Sequence, residues 1–198
     1  MRFKIKDTYY EINFSFFALI VALISIDKSS TMLISFISAA LHEAIHIFFL
    51  YTFSSAPKRV RLSLFGADIL QNRNTPLTSF QEIIINISAP VFNILMGCLF
   101  LVADAFINEN MLNKIGQINV ILGIFNILPF YNFDGGNALR VLLCKCFSNK
   151  ITESVLLYFS VVIAFVFTFI AFYTIKETNN FSLVVISVYM LLSLLFKK

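Results

Sequence analysis

The chain holds two histidines in 198 residues, and both lie in one run, His42-Glu43-Ala44-Ile45-His46. Residues four apart on a helix share a face, so the two imidazoles would converge on one point. Neutral imidazole is a good Zn²⁺ ligand, and a Glu beside the first His can serve as general base for a water activated there. Two histidines placed at random fall four apart about one time in 100, and a Glu after the first lowers that to roughly one in a thousand. Glu43 is also the single charge in the apolar stretch 29–57. A carboxylate at membrane depth costs at least about 2.5 kcal/mol, so it implies a metal, a partner or a water-filled cavity.

Zinc in a hydrolytic site takes three protein ligands and leaves one position open. A third ligand must come from another segment, and the run Asn126-Ile127-Leu128-Pro129-Phe130-Tyr131-Asn132-Phe133-Asp134-Gly135-Gly136 offers one. Pro129 lacks a backbone donor and should break a helix there. Gly135 and Gly136 permit a sharp turn beside Asp134. Read alone, Asp134 would mark a water interface and Gly-Gly a helix end. Read beside the histidine pair, it is a carboxylate on irregular backbone suited to bend inward as a ligand. Asn126 is placed to hold Asp134 or the unwound backbone.

These residues must be positioned by apolar elements, because 59% of the chain is hydrophobic and only 13% charged. A soluble domain carries about 45–50% apolar and about 25% charged residues. The polar surface is too small for a soluble enzyme, a nucleic-acid-binding domain or a disordered protein. Three scattered cysteines make no disulfide framework, and Cys144 and Cys146 lack metal-type neighbours. Apolar runs at 12–26, 29–57, 83–103, 115–133, 155–175 and 178–196 predict six membrane spans. All of the 15 Lys and Arg except Lys28, Lys114 and Lys176 then fall on one side. That bias predicts both termini in the cytoplasm of a multi-pass membrane protein. No cleavage site follows the first apolar run, so it does not read as a signal peptide. The expected fold is an all-α polytopic membrane protein forming one domain, 1–198. It has about six transmembrane helices and a small β-hairpin at the cytoplasmic face.

That hairpin is expected at 58–71, where Val60, Leu62 and Leu64 alternate with Arg59, Arg61 and Ser63. One reading is an amphipathic loop whose cations meet phosphate headgroups. The other is a strand edge that grips an extended peptide, with Val60, Leu62 and Leu64 binding substrate.

The His42–His46 run, together with Asn126-x-x-Pro129 and Asp134-Gly135-Gly136, resembles the site-2 protease family of intramembrane zinc metalloproteases. Ala89-Pro90-Val91-Phe92-Asn93 resembles that family's Gly-Pro-x-x-Asn, with Ala89 in place of Gly. The stretch from Lys58 to Gly66 is most similar to the sporulation branch, which processes a sigma-factor precursor. The resemblance spans about 31–140, a three-helix catalytic core, with accessory spans at about 9–27, 153–175 and 178–196. It implies one Zn²⁺ per chain on His42, His46 and Asp134, with Glu43 as base and Asn93 near the substrate carbonyl or developing oxyanion. It also implies a membrane-associated protein substrate, with regulatory membrane proteins as further partners. No PDZ-like or CBS-like module is expected within the chain. Two other classes remain open, a metal-ion transporter and an inactive membrane scaffold. A transport path would need polar residues along several spans, and the outer halves of these spans are apolar.

Overall fold

The computed structural model describes residues 2–5, 8–12, 21, 25, 27, 29–55, 57–63, 66–70, 76–178 and 182–195. The first expected span, 12–26, lies almost wholly outside the described residues, as does Leu64. The chain divides into two compact units, Met1–Phe125 and Asn126–Lys198.

The first unit begins with β1 (Arg2–Ile5) and β2 (Thr8–Ile12), followed by α1 (Thr31–Thr52). Next come β3 (Arg59–Ser63), β4 (Gly66–Leu70), α2 (Ser79–Ile107) and α3 (Asn110–Ile127), which runs to the boundary. The expected hairpin is β3–β4, antiparallel with Ser63 opposite Gly66. It belongs to a larger sheet than the sequence suggested. The order is β1-β2-β3-β4, with β2 parallel to β3 and Tyr9 opposite Arg59. The basic N-terminus, read only as a topology signal, therefore forms strands as well, and Arg2-Phe3-Lys4-Ile5 alternates polar and apolar residues as a strand does. Thr8 ties the sheet to the end of α1. Its hydroxyl donates to the Pro57 carbonyl at 2.7 Å and accepts from the Tyr51 hydroxyl at 2.7 Å.

Helix α1 starts after Ser30, whose φ is 62°. Asp27 caps it from outside, accepting from the Met32 N–H at 2.6 Å and from the Ser29 N–H at 2.8 Å. The buried residues of α1 are Ile34, Ser38, His42, His46 and Leu50, one line with a step of four. Helix α2 presents a matching line of Ile85, Ala89, Asn93 and Gly97. Rows with a step of four interdigitate in the commonest helix packing, and here they bring the polar residues of both rows together. Thr78 and Gln81 form a capping box at the start of α2. Helix α3 lies very close to α2. A Cβ on Gly123 would meet the Pro90 carbonyl at 2.6 Å, and one on Gly97 would meet the Val120 nitrogen at 2.7 Å.

The second unit holds α4 (Asp134–Leu143), α5 (Asn149–Thr178) and α6 (Ser182–Leu195). Phe130, Ala164 and Met190 form its buried core, with Phe133, Ile163, Phe167, Ile186 and Leu194 packed around them.

Among the described residues, three helices are long and apolar enough to cross a membrane: Thr31–Thr52, Ser79–Ile107 and Asn149–Thr174. Leu183–Leu194 is apolar but shorter. The run expected as a fourth span, 115–133, overlaps the 18-residue α3, which carries Asn113, Lys114, Gln117 and Asn119 and is not among the three. Large apolar side chains stand exposed along these helices, Phe48 at 61%, Leu95 at 64% and Phe169 at 76%. Lipid, unlike water, is a good solvent for such a surface.

Candidate metal centre

His42 and His46 both sit on the buried line of α1, where helix geometry stacks residues four apart. Their rings meet edge to face, with centroids 4.9 Å apart and an interplanar angle of 80°. The outer nitrogen of each ring is engaged. His46 Nδ1 lies 2.9 Å from the Ile85 carbonyl, and His42 Nδ1 lies 2.7 Å from Asn93 Oδ1. A carbonyl can only accept, so both Nδ1 atoms carry the proton and both Nε2 atoms present a lone pair. These Nε2 atoms are 3.3 Å apart.

Two ring nitrogens at that distance attract when a proton or a metal ion lies between them. Zn–N bonds of about 2.0–2.1 Å at the tetrahedral angle put two ligand nitrogens about 3.3–3.4 Å apart. The histidine pair thus fits zinc in ligand type, tautomer and separation. Outer-nitrogen hydrogen bonds of this kind are the usual way a protein aims a metal-binding imidazole.

Asn93 is fully buried in the middle of α2. It gives its oxygen to His42 and donates its Nδ2 to Asn119 Oδ1 at 2.8 Å. Asn119 Nδ2 in turn donates to the Ile115 carbonyl at 2.9 Å and to Ser38 Oγ at 3.0 Å. Sequence reasoning singled out neither Asn119 nor Ser38. A signal existed in the spacing, since Ser38 precedes His42 by one helical step of four. Glu43, next to His42, is partly exposed on α1.

In the second unit, α3 ends at Ile127, two residues before Pro129, where the proline was expected to stop it. Asp134 then opens a new helix as its first residue, where a carboxylate meets the positive end of the helix dipole. The glycines after it serve close approach instead of the expected turn. A Cβ on Gly135 would collide with the Ile127 carbonyl, and one on Gly136 with the Phe130 carbonyl. The irregular segment is pinned to α5, because the Tyr131 N–H donates to Ser160 Oγ at 2.8 Å. Arg140 braces it from α4, with Nε 2.9 Å from Glu153 Oε1, a hydrogen bond to Asn137 Oδ1 at 2.7 Å, and its guanidinium 4.7 Å over the Tyr131 ring. Asp134 is therefore presented from a braced backbone. The Arg140 brace went unread in the sequence, because a single Arg after an apolar run carries no pattern.

The expected substrate residues fare differently. Val60 is buried in β3, and β3 is paired on both sides, by β2 and by β4. Among the described residues the outer strands of this sheet are β1 and β4, so an incoming strand would have to add there. Leu62 lies in β3 opposite Ala67 and Ile12.

Peptidase family M50 matches residues 104–170 of the chain. A zinc metalloprotease of Methanocaldococcus jannaschii is 25% identical over 169 residues, covering 77% of this chain and 49% of that protein. A second relative, from Synechocystis, is 26% identical over 127 residues, covering 61% of this chain and 33% of its own length. The chain thus spans about half or less of the length of these curated relatives. The fold is similar to a site-2 protease from Methanocaldococcus jannaschii, with a TM-score of 0.69 at 22% identity, over 98% of this chain and 93% of that one.

Proposed function

We propose that the chain is a membrane-embedded zinc metalloprotease of the M50, site-2 type, hydrolysing a peptide bond in or near the membrane segment of a protein substrate. The observation that carries this reading is the histidine pair, with two Nε2 lone pairs held at a zinc-like separation beside a carboxylate on an apolar helix. The similarity to a zinc metalloprotease of M. jannaschii and to the fold of a site-2 protease supports the same reading.

In this reading His42 and His46 supply two ligands from one helix, and Asp134 supplies the third. Bound there, one zinc ion would supply Lewis acidity toward a peptide carbonyl and would acidify water. Glu43 takes the proton from the attacking water and returns it to the leaving amine. Asn93, whose two polar atoms are held by His42 and Asn119, serves in this reading to aim His42. Its alternative part, as a donor to the oxyanion, would require its Nδ2 to leave Asn119. The substrate adds as an extended strand at a free sheet edge near the cytoplasmic face, because a helical peptide bond is shielded from attack.

The similarity of the Lys58–Gly66 stretch to the sporulation branch supports a membrane-bound sigma-factor precursor as that substrate, in a bacterial cytoplasmic membrane with both termini inside. The test is cleavage of such a precursor by purified protein in vesicles. Cleavage that stops in Glu43→Gln and on zinc chelation is expected. Undiminished cleavage by Glu43→Gln would sink the catalytic assignment.

A further inference from the structure

We infer that Asn119 is a positioning residue for the metal, fixing the tautomer of His42 through Asn93; the inference rests on the zinc reading above. The chain of contacts crosses three helices. It runs from Ile115 and Asn119 on α3 to Asn93 on α2 and His42 on α1, with Ser38 of α1 tied in beside it. Asn93 and Asn119 are 0% and 5% exposed, so water does not compete for them.

The direction of this relay follows from one group that cannot reverse. The Ile115 carbonyl only accepts, so it fixes Asn119 with its Nδ2 toward that carbonyl and its Oδ1 toward Asn93. An oxygen there draws the Nδ2 of Asn93, which turns the Asn93 oxygen to His42. His42 must then hold its proton on Nδ1 and, in the neutral ring, its lone pair on Nε2. A free amide could flip, donate to Nδ1 and move the proton to Nε2, the atom that faces His46. His46 needs no relay, because the Ile85 carbonyl fixes it directly. Both imidazoles are thus oriented by backbone carbonyls, one directly and one through two amides.

With only two histidines in the chain, ¹⁵N-histidine labelling resolves the tautomers. The experiment uses the full chain in detergent at a pH where both rings are neutral. It pairs the ring-nitrogen spectrum of chelator-stripped protein with zinc affinity measured by competition against a chromophoric chelator. In wild type, both rings should carry the proton on Nδ1. Asn119→Leu should shift a population of His42, and not of His46, to Nε2–H and weaken zinc about 10–100-fold, the range for lost outer partners of a metal ligand. Asn119→Asp loses the bond to the Ile115 carbonyl but keeps an acceptor for Asn93, so His42 should stay Nδ1–H. In the double variant Asn93→Asp, Asn119→Leu the residue facing His42 can only accept, so zinc affinity should recover.

Wild-type affinity in Asn119→Leu with an unshifted His42, or no recovery in the double variant, would overturn the proposal. The wild-type spectrum decides even if Asn119→Leu does not fold, since Nε2–H on His42 contradicts the relay. No zinc in wild type would overturn the metal reading, and with it the positioning role, while an Nδ1–H spectrum would show that the failure lay in the metal.

Discussion

His42 and His46 differ in what orients them, and the difference sets how each should respond to substitution. His46 leans on the backbone carbonyl of Ile85, which no side-chain substitution removes. His42 leans on Asn93, so Asn93→Leu should weaken zinc by about 10–100-fold, while Asn93→Asp should weaken it less, since its carboxylate still accepts from Nδ1 although it faces the Asn119 oxygen. Chelator competition checks both. Glu43 has a separate signature in the proposed mechanism. Glu43→Gln should retain zinc and lose about 100-fold or more in cleavage rate, a loss of general-base catalysis read by single-turnover assay. The residues of this site were legible in the sequence to unequal degrees. H-E-x-x-H is a local pattern on one helix, and its spacing alone predicts a shared face. Asn119 was not legible, because a single amide in an apolar helix carries no signal until the helices that pair it are known, and Ser38 showed only its step of four before His42.

At the scale of elements, two features admit direct tests. Gly135 and Gly136 open α4 against the carbonyls of Ile127 and Phe130. Gly135→Ala should destabilise the second unit by at least about 1–3 kcal/mol, because a Cβ there strikes backbone with no free rotamer to absorb it. Thermal unfolding in detergent measures this. The start of α1 makes a pH prediction. Hydrogen bonds from the Ser29 hydroxyl, the Met32 N–H and the Ser29 N–H hold the Asp27 carboxyl below its ordinary value. A carboxyl depressed in the folded state adds stability above its unfolded pKa and loses it as pH falls through the folded one. Asp27→Asn should therefore lower the melting temperature slightly at neutral pH and not at pH 2, with the difference vanishing through the acid range. The helix stop before Pro129 and the β3–β4 hairpin were readable from proline chemistry and period-2 alternation. The strands at Arg2–Ile5 and Thr8–Ile12 were not, because their partner β3 lies beyond α1 in sequence and a positive-inside signal accounts for the same charges.

For the whole molecule, composition was the most informative feature. With 59% of residues hydrophobic, a membrane was the one solvent that suited the chain, and three described helices meet the length and apolarity of a span. Among the described residues α3 falls short of a span because it carries Asn113, Lys114, Gln117 and Asn119, and the first of the six expected spans lies almost wholly outside them. The proposed orientation makes an accessibility prediction. Cys144 and Cys146 are exposed, so with the termini inside, a membrane-impermeant maleimide should reach them only after permeabilisation, while Lys28→Cys should react in intact cells. The central claim is that one zinc ion is held by two segments far apart in sequence. The most direct test is bound zinc per chain in purified wild type, His46→Ala and Asp134→Ala. About one zinc is expected in wild type, with its loss or marked weakening in both variants, as removal of one ligand of three requires. Full zinc in Asp134→Ala, or none in wild type purified without chelator, would contradict it.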